Sequence, residues 1–472
     1  MGVMPKADRS PQDATASRAQ HDERVAVLRR RFAALPADAP VRLAKRTSNL
    51  FRSRTGTKAP GLDVSGFRHV LEVDPETRTA EVEGMVTYER LVDATLPYGL
   101  MPLVVPQLKT ITLGGAVTGL GIESSSFRNG MPHESVLELE LLTGDGQVLV
   151  ASPDNEHRDL FRAFPNSYGT LGYALRLRIQ LEPVRPYVRL HHVRHHDARE
   201  YFEDLGETCR TRSHRALAGA RADFVDGTLF GPGELYLTLG TFVDEAPRTS
   251  DYTWLDIYYR SITRRRTDHL TVRDYLWRWD TDWFWCSRAL GVQHRFARFL
   301  LGRRFLRSEV YWKIVALERK YRVAARIGRL RGLPPEETVV QDVEVPLDRA
   351  VDFLEFFHRE IPISPVWVCP VAQRDGGGGW PLYELEPDVL YVNFGFWSAV
   401  PLADGEPQGT HNRMIETTVS DLGGRKSLYS ESFYDEDVFW QLYNGSAYRA
   451  VKDRYDPEHR LLDLYDKCVR GR

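Results

Sequence analysis

The chain has 472 residues, 63 of them Lys or Arg and 65 Asp or Glu, for a formal net charge of −2, with 42% hydrophobic and 27% charged residues. That length supplies two cores rather than one, and the charge balance excludes a global attraction to nucleic acid or acidic lipid. Four scattered cysteines, Cys209, Cys286, Cys369 and Cys468, have neither paired nor metal-ligand spacing, which argues against a disulfide framework and a zinc site.

Met1 to Asp22 hold no apolar run, so neither a signal peptide nor a spanning helix is expected at the start, and the expected location is the cytoplasm. Residues 1 to about 22 read as a disordered tail, and Glu23 to Leu35 as a short amphipathic helix ended by Pro36; residues 1–38 thus stand apart from the body. Val70 to Val73 and Thr79 to Glu83 read as strands, and Thr87 as the cap of a helix that carries Tyr88, Leu91, Val92 and Leu96 and stops at Gly99. Val136, Leu139 and Leu141 lie in a strand that turns at Gly144-Asp145-Gly146 and returns as Gln147 to Ala151. Leu175, Leu177, Ile179 and Leu181 alternate with polar residues, the period of a strand with one buried face. A first α+β domain over 39–188 follows from these elements.

Beyond Pro186 a helix is expected over Tyr201 to Thr211, and a hairpin over Ala222 to Val243 broken at Gly231-Pro232-Gly233. Leu347 to Ile361 and Thr410 to Leu422 read as helices, Val366 to Cys369 and Leu390 to Phe396 as strands, and Gly376 to Gly379 as a mobile loop. The pattern predicts a second α+β domain, 189–472, around an antiparallel sheet.

The chemistry concentrates between Val105 and Ser126. From Gly114 to Gly121 only Val117 and Leu120 are large, so a backbone there can lie against a flat or anionic ligand. GxGxxG does not apply, because Gly119-Leu120-Gly121 is followed by Ser124 where a third glycine would stand. The run Thr112-Leu113-Gly114-Gly115, then Gly119, then Gly121-Ile122-Glu123-Ser124-Ser125-Ser126 resembles the second pyrophosphate and flavin loop of the vanillyl-alcohol-oxidase (p-cresol methylhydroxylase, PCMH-type) superfamily. Its ending is similar to the sterol Δ24-reductase branch. Gly169-Thr170-Leu171-Gly172 resembles a later FAD-contacting loop, and Pro365 to Pro370, Phe439-Trp440 and Asn444 to Tyr448 resemble parts of the cap domain. Where the superfamily's first loop has a Gly-Gly-His-Ser-like run, this chain has Lys45-Arg46-Thr47-Ser48-Asn49.

The resemblance implies an α+β fold in which a two-part PCMH-type FAD-binding domain precedes an α+β cap with an antiparallel sheet. It implies FAD contacts at Thr47, Ser48 and Asn49, then at Pro106, Thr112, Gly114, Gly115, Thr118, Gly119, Gly121, Ile122, Glu123, Ser124, Ser125, Ser126 and Gly130, and finally at Gly169, Thr170 and Gly172. His69 and His133 are the histidines nearest these loops. A lone histidine is more often a polar surface residue than an attachment point, so non-covalent FAD is expected, with no metal.

Arg42 to Phe51 resembles the opening of a smaller group in which a soluble flavoprotein works with a methyltransferase that leaves a methylene branch on a lipid acyl chain. That resemblance implies NADPH-driven reduction of a 10-methylene acyl chain of a phospholipid to its 10-methyl form, as in 10-methylstearate (tuberculostearate), with the methyltransferase as partner. An isolated alkene has no carbonyl to accept electron density, so a proton must lead, and a donor held against an apolar chain has its carboxyl pKa raised. Glu431, Tyr429, Tyr434 and Lys426 are the candidates: Lys426 to Glu431 reads as a strand whose alternation puts Tyr429 and Glu431 on one face, with Glu123 as a competitor.

Between residues 252 and 320 Trp254, Trp277, Trp279, Trp283 and Trp285 interleave with Arg264 to Arg266, Arg295, Arg298, Arg303, Arg304 and Arg307. That composition suits a lipid headgroup boundary, hence a peripheral contact with the inner membrane face, or a helical region with aromatic core and solvated arginines. No nucleic-acid fold accompanies it. Three other functions suit the same signatures: a sterol Δ24-reductase-like activity, an FAD-dependent oxidase or dehydrogenase for alcohols or sugars, and a lipid-binding protein without redox chemistry.

Overall fold

A computed structural model describes residues 11–37, 39–45, 51–52, 61–321, 334–374 and 379–471. Thr47, Ser48 and Asn49, and the expected loop at 376–378, lie outside the described residues.

The helix foreseen from Glu23 starts at Pro11, so residues 11–22 are not a tail: α1 spans Pro11–Ala33. Its anchors are largely ionic, and this hides it from an apolar-periodicity reading. His21 is buried, its Nδ1 2.8 Å from Glu83 Oε1 and its Nε2 2.9 Å from Glu140 Oε1, and Arg24 adds a contact of 2.7 Å to Glu83. Leu28 and Phe32 pack with Leu142, Tyr173 and Leu461. Burial alone would lower the His21 pKa; the bonds to Glu140 and Glu83 outweigh it and raise it to about 9. A raised imidazole pKa stabilises the fold fully below its ordinary value near 6.5 and loses that contribution as the pH passes 9. Removing it takes one partner each from Glu83, which keeps Arg24, and Glu140, which keeps Arg176, so His21→Leu should cost about 2 kcal/mol at mildly acidic pH. Urea unfolding of both proteins should show that difference shrinking as the pH rises from about 6.5 to about 9.

After the short parallel pair β1 (Arg42–Ala44) and β2 (Gly61–Asp63), the first unit holds strands β3 (Val70–Asp74), β4 (Thr79–Glu83), β5 (Leu100–Pro102), β6 (Val136–Leu142), β7 (Val148–Ala151) and β8 (Tyr173–Pro183). They form an antiparallel sheet of order β3-β4-β8-β6-β7, with β5 added on β8. Leu175, Leu177, Ile179 and Leu181 of β8 are buried, as their alternation predicts. Its helices are α2 (Tyr88–Thr95), α3 (Leu113–Gly119), α4 (Ser126–Asn129) and α5 (Arg158–Ala163).

Pro183 to Pro186 lead straight from β8 into the second sheet. Its strands are β9 (Tyr187–His195), β10 (Phe224–Gly231), β11 (Glu234–Val243), β12 (Thr267–Thr271), β13 (Glu336–Pro346), β14 (Val366–Val371), β15 (Tyr391–Pro401) and β16 (Arg425–Lys426), in the antiparallel order β12-β9-β11-β10-β14-β15-β13-β16. Between them lie helices α6 (Ala198–Thr211), α7 (Tyr258–Ile262), α8 (Val272–Leu276), α9 (Arg295–Phe305), α10 (Ser308–Tyr321), α11 (Ala350–Glu360) and α12 (Thr410–Asp421). α6, α11 and α12 cover one face. Alternation turns Val339, Val343 and Val345 of β13 to that side, and Asp342 and Glu344 to the other.

The last helices, α13 (Glu436–Leu442), α14 (Gly445–Tyr455) and α15 (Leu464–Cys468), return to the first unit rather than extending the cap sheet. The Tyr455 hydroxyl donates to Asp159 at 2.9 Å, and Lys452 Nζ donates to the Thr170 carbonyl at 2.8 Å. Phe439-Trp440 and Asn444 to Tyr448, sequence features assigned to the cap, therefore sit in helices that brace the FAD-binding part.

The aromatic stretch over 252–320 is mostly core. Tyr258, Tyr275, Trp277, Trp279, Trp283 and Trp285 are buried, and so are Arg278 and Arg298. Among the described residues no helix is long and apolar enough to cross a membrane.

Candidate functional site

A cavity of about 560 Å³ lies between the two units, a size usual for a cofactor or similar ligand. One wall comes from the glycine-rich segment, which is a short helix and not the loop its composition suggests. Thr112 caps α3 by accepting from Gly115 N at 3.2 Å, and the glycines let the helix lie close to its neighbours. A Cβ on Gly114 would stand 2.7 Å from the Gly84 carbonyl, so that glycine serves packing and does not line the cavity. Pro106, Thr112, Gly115, Thr118, Gly119, Gly121 and Ile122 do line it, joined by Gly169. Leu120 takes a left-handed φ of 63° to turn the chain out of the helix.

Seven further residues expected at the cofactor are turned into the protein. Glu123 accepts from Ser124 N and Oγ at 2.8 and 2.7 Å and pairs with buried Arg278 at 3.2 Å, which also holds Asp226 of β10 at 2.8 Å. This knot ties the turn after α3 to the cap sheet; burial raises the Glu123 pKa although Arg278 opposes it. Ser125 donates to the Leu103 carbonyl at 2.8 Å, Ser126 Oγ accepts from Glu123 N at 3.0 Å, and Thr170 donates to the Ser167 carbonyl at 2.7 Å. Gly130 at φ 67° sits against the Glu134 carboxylate, and Gly172 sits against the Leu142 carbonyl; neither is on the cavity wall. His69 bonds Glu83 at 2.8 Å and His133 packs on Trp380 at 4.5 Å, and neither lines the cavity.

The opposite wall belongs to the cap. Phe284, Trp367 and Trp397 make an aromatic surface, with Phe284 and Trp397 centroids 4.4 Å apart. Within it stand a carboxylic acid and a phenol. Asp342 lines the cavity, accepts from Asn393 Nδ2 at 3.1 Å and is hydrogen-bonded to Tyr429, whose hydroxyl also accepts from Trp397 Nε1 at 2.9 Å. Burial pushes the Asp342 pKa up to about 6 against the lowering effect of Tyr429 and Asn393. Burial, then the charge on Asp342, raises that of Tyr429 well above its ordinary value. Gly395, opposite Asp342 in the β13–β15 register, leaves the space: a Cβ there would stand 2.5 Å from Asp342 Oδ1 and 2.7 Å from the Trp397 ring.

Of the four proton-donor candidates only Tyr429 lines the cavity. The strand expected over Lys426 to Glu431 ends at Lys426, because the chain leaves the sheet edge and Glu431 N donates instead to the Phe51 carbonyl at 3.0 Å. Alternation therefore no longer places Glu431 beside Tyr429. Lys426 is buried in an ion pair with Glu416 at 2.5 Å, and the Tyr434 carbonyl accepts from Tyr465 at 3.1 Å.

The lining offers polar groups that suit a flavin dinucleotide. Gln107, on the wall, is buried with neither amide atom partnered, an expensive arrangement for the protein alone and one that a ring edge carrying donors and acceptors would satisfy. Arg42, Lys45, Arg52 and Lys467 border the cavity and suit a pyrophosphate. Gln107, Tyr168 and Asp342 were not singled out from sequence. For Asp342 the available signal is the alternation Val340-Gln341-Asp342-Val343-Glu344-Val345, acids at every second place in an apolar strand.

Residues 20–152 match the family described as FAD binding domain. The chain is similar to the Delta(24)-sterol reductase of Arabidopsis thaliana, 28% identical over 451 residues covering 87% of this chain and 77% of that protein. It is similar also to the Delta(24)-sterol reductase of Homo sapiens, 27% identical over 85% of this chain and 76% of that protein. Cytokinin dehydrogenase 9 of Oryza sativa subsp. japonica is 34% identical over 26% of this chain and 24% of its own length. The chain thus carries an FAD-binding domain within an α+β fold.

Proposed function

We propose that this chain is an FAD-dependent oxidoreductase that reduces an isolated carbon–carbon double bond in a lipid. The substrate of this reading is a 10-methylene acyl chain of a phospholipid, reduced to the 10-methyl chain with NADPH as electron donor. The observation that carries it is the pairing of an aromatic wall with one half-buried proton-bearing pair, Asp342 and Tyr429, facing the cofactor wall across the same cavity. The similarity to reductases named for a sterol double bond supports the reaction class, and the resemblance at Arg42 to Phe51 supports the acyl chain.

Bound and reduced FAD supplies a hydride. The chain's own residues supply the rest. Thr112, Gly115, Gly119 and Gly121 leave the cofactor wall flat; Trp367 and Trp397 exclude water from the alkene; and Tyr429 presents a proton donor with Asp342 behind it. Proton delivery to the terminal CH2 leaves positive charge on the substituted carbon, and hydride closes the balance: one proton and one hydride enter, and the C=C bond becomes C–C. With Asp342 protonated, its O–H can donate to the Tyr429 oxygen and free the phenol proton for the cavity. With Asp342 ionised, the carboxylate accepts the phenol O–H as a hydrogen bond and holds it away from the cavity.

Reduction in deuterated water with unlabelled NADPH should therefore place deuterium in the new methyl group, giving CH2D, read by mass spectrometry of the released fatty acid. Deuterium confined to the branch carbon would contradict the order of steps. A purified yellow protein whose reduced flavin is reoxidised by O2 and not by the methylene lipid would point instead to an oxidase.

A further inference from the structure

On α9 the usual sidedness of a surface helix is reversed. Arg298 is 0% exposed in its side chain, paired with Asp282 at 2.5 Å, while Phe296, Phe299 and Leu300 are 65%, 59% and 68% exposed. Their spacing puts these three on one face and Arg298 on the opposite face, before Gly302, at φ 63°, breaks the helix ahead of Arg303. Phe305 at the end of α9, and Ile314 and Leu317 on α10, extend the exposed apolar surface. All but one of the large hydrophobic side chains most exposed among the described residues outside the first unit fall in this stretch, the other being Val438. Singly exposed hydrophobics need no explanation; a contiguous group does.

We infer that this face of α9 and α10 rests on an anionic lipid bilayer and that the acyl substrate passes from there into the cavity, an inference that rests on the proposed lipid substrate. Two features of the surroundings choose lipid over a second copy of the chain. Exposed Arg295 and Arg304 flank the apolar side chains in sequence, Arg295 lying 3.7 Å from Asp256, and exposed Arg303 adds a third guanidinium, held at 2.5 Å by Asp251. Guanidinium groups before and after the phenyl and leucyl side chains complement phosphate headgroups above acyl chains. The surface is also continuous with the site: Ser308 and Trp312 of α10 line the cavity, and Ile314 and Leu317 of the same helix are exposed. One helix thus separates the cavity from the patch. The buried pairing of Arg298 with Asp282 holds the helix in this orientation.

Co-sedimentation of the full-length flavoprotein with vesicles of phosphatidylcholine and phosphatidylglycerol tests this directly. The variant Phe296→Glu/Phe299→Glu/Leu300→Glu should bind about tenfold or more weakly, with flavin absorbance, thermal unfolding and molecular mass unchanged. Arg295→Gln/Arg304→Gln should weaken binding to these vesicles and leave binding to pure phosphatidylcholine unaltered. Full vesicle binding by the triple variant would overturn the inference. So would a parent protein that ignores vesicles and is a dimer which the triple variant splits, because the face would then join two copies. Binding needs no turnover, so a failure of lipid reduction would leave this measurement standing. Conversely, a detergent-dispersed methylene lipid should be reduced by the triple variant at the parent rate.

Discussion

Tyr429→Phe should slow alkene-dependent reoxidation of the reduced flavin by about 10²-fold or more, the usual worth of a positioned general acid, while leaving the yellow colour and the rate of reduction by NADPH near normal. The substitution removes one hydroxyl, which accepts from Trp397 Nε1 at 2.9 Å and meets Asp342, and it keeps the ring that packs against Phe51 at 5.8 Å. Stopped-flow measurement of the two half-reactions separates the outcomes; equal loss in both would indicate damage to the cofactor wall and not loss of a donor. The pH dependence gives a second check. In the unmutated protein the alkene half-reaction should quicken as the pH falls through about 6, where Asp342 gains its proton and releases that of Tyr429. Asp342→Asn cannot titrate, so its profile should be flat through that range. A parent profile already flat there would remove Asp342 from the relay even if Tyr429 remained essential.

Gly119→Leu should weaken FAD binding by about 10²-fold, as expected when a well-packed wall must absorb several extra carbons. A Cβ at this position would lie 3.1 Å from the Tyr168 ring, and Tyr168 is fixed in turn by donating to the Gly119 carbonyl at 2.8 Å and by the Arg52 guanidinium 4.8 Å from its centroid. The added side chain must displace that ring or occupy the cavity. Flavin absorbance after desalting and a titration with FAD give the loss directly. Ser124→Ala provides the contrast: its hydroxyl is spent on Glu123 and Tyr275 inside the protein, so the cofactor should stay bound. A Gly119→Leu protein that keeps its full colour would detach this wall from the cofactor.

Where one periodicity governed a segment, the sequence was a sufficient guide. β8 alternates over its whole length because one face meets the core, and the hairpin at Gly144-Asp145-Gly146 follows from its turn residues. α1 was half missed because much of what holds it is ion pairing by His21, Arg18 and Arg24 with acids far along the chain, and charged residues in a polar helix look like a solvated tail. Glycine density was read as a loop over 114–119. The same lack of side chains lets α3 approach Gly84, a partner that only the fold supplies. At the site, Tyr429 was visible as a candidate, but its neighbour Glu431 was chosen on an alternation that stops at Lys426. Asp342 lies nearly ninety residues away, brought to Tyr429 by the pairing of Val343 with Lys426, a register no local pattern encodes.

The return of α13 to α15 to the first unit has a consequence for biosynthesis. Lys467, on α15, lines the cavity and donates to the Tyr168 carbonyl at 2.6 Å, so the wall begun at Val41 is finished more than four hundred residues later. While the ribosome is still making the cap, the glycine helix exists without its closing partner. Cofactor retention should therefore await the docking of α15, and protein clipped between α14 and α15 should be recovered colourless.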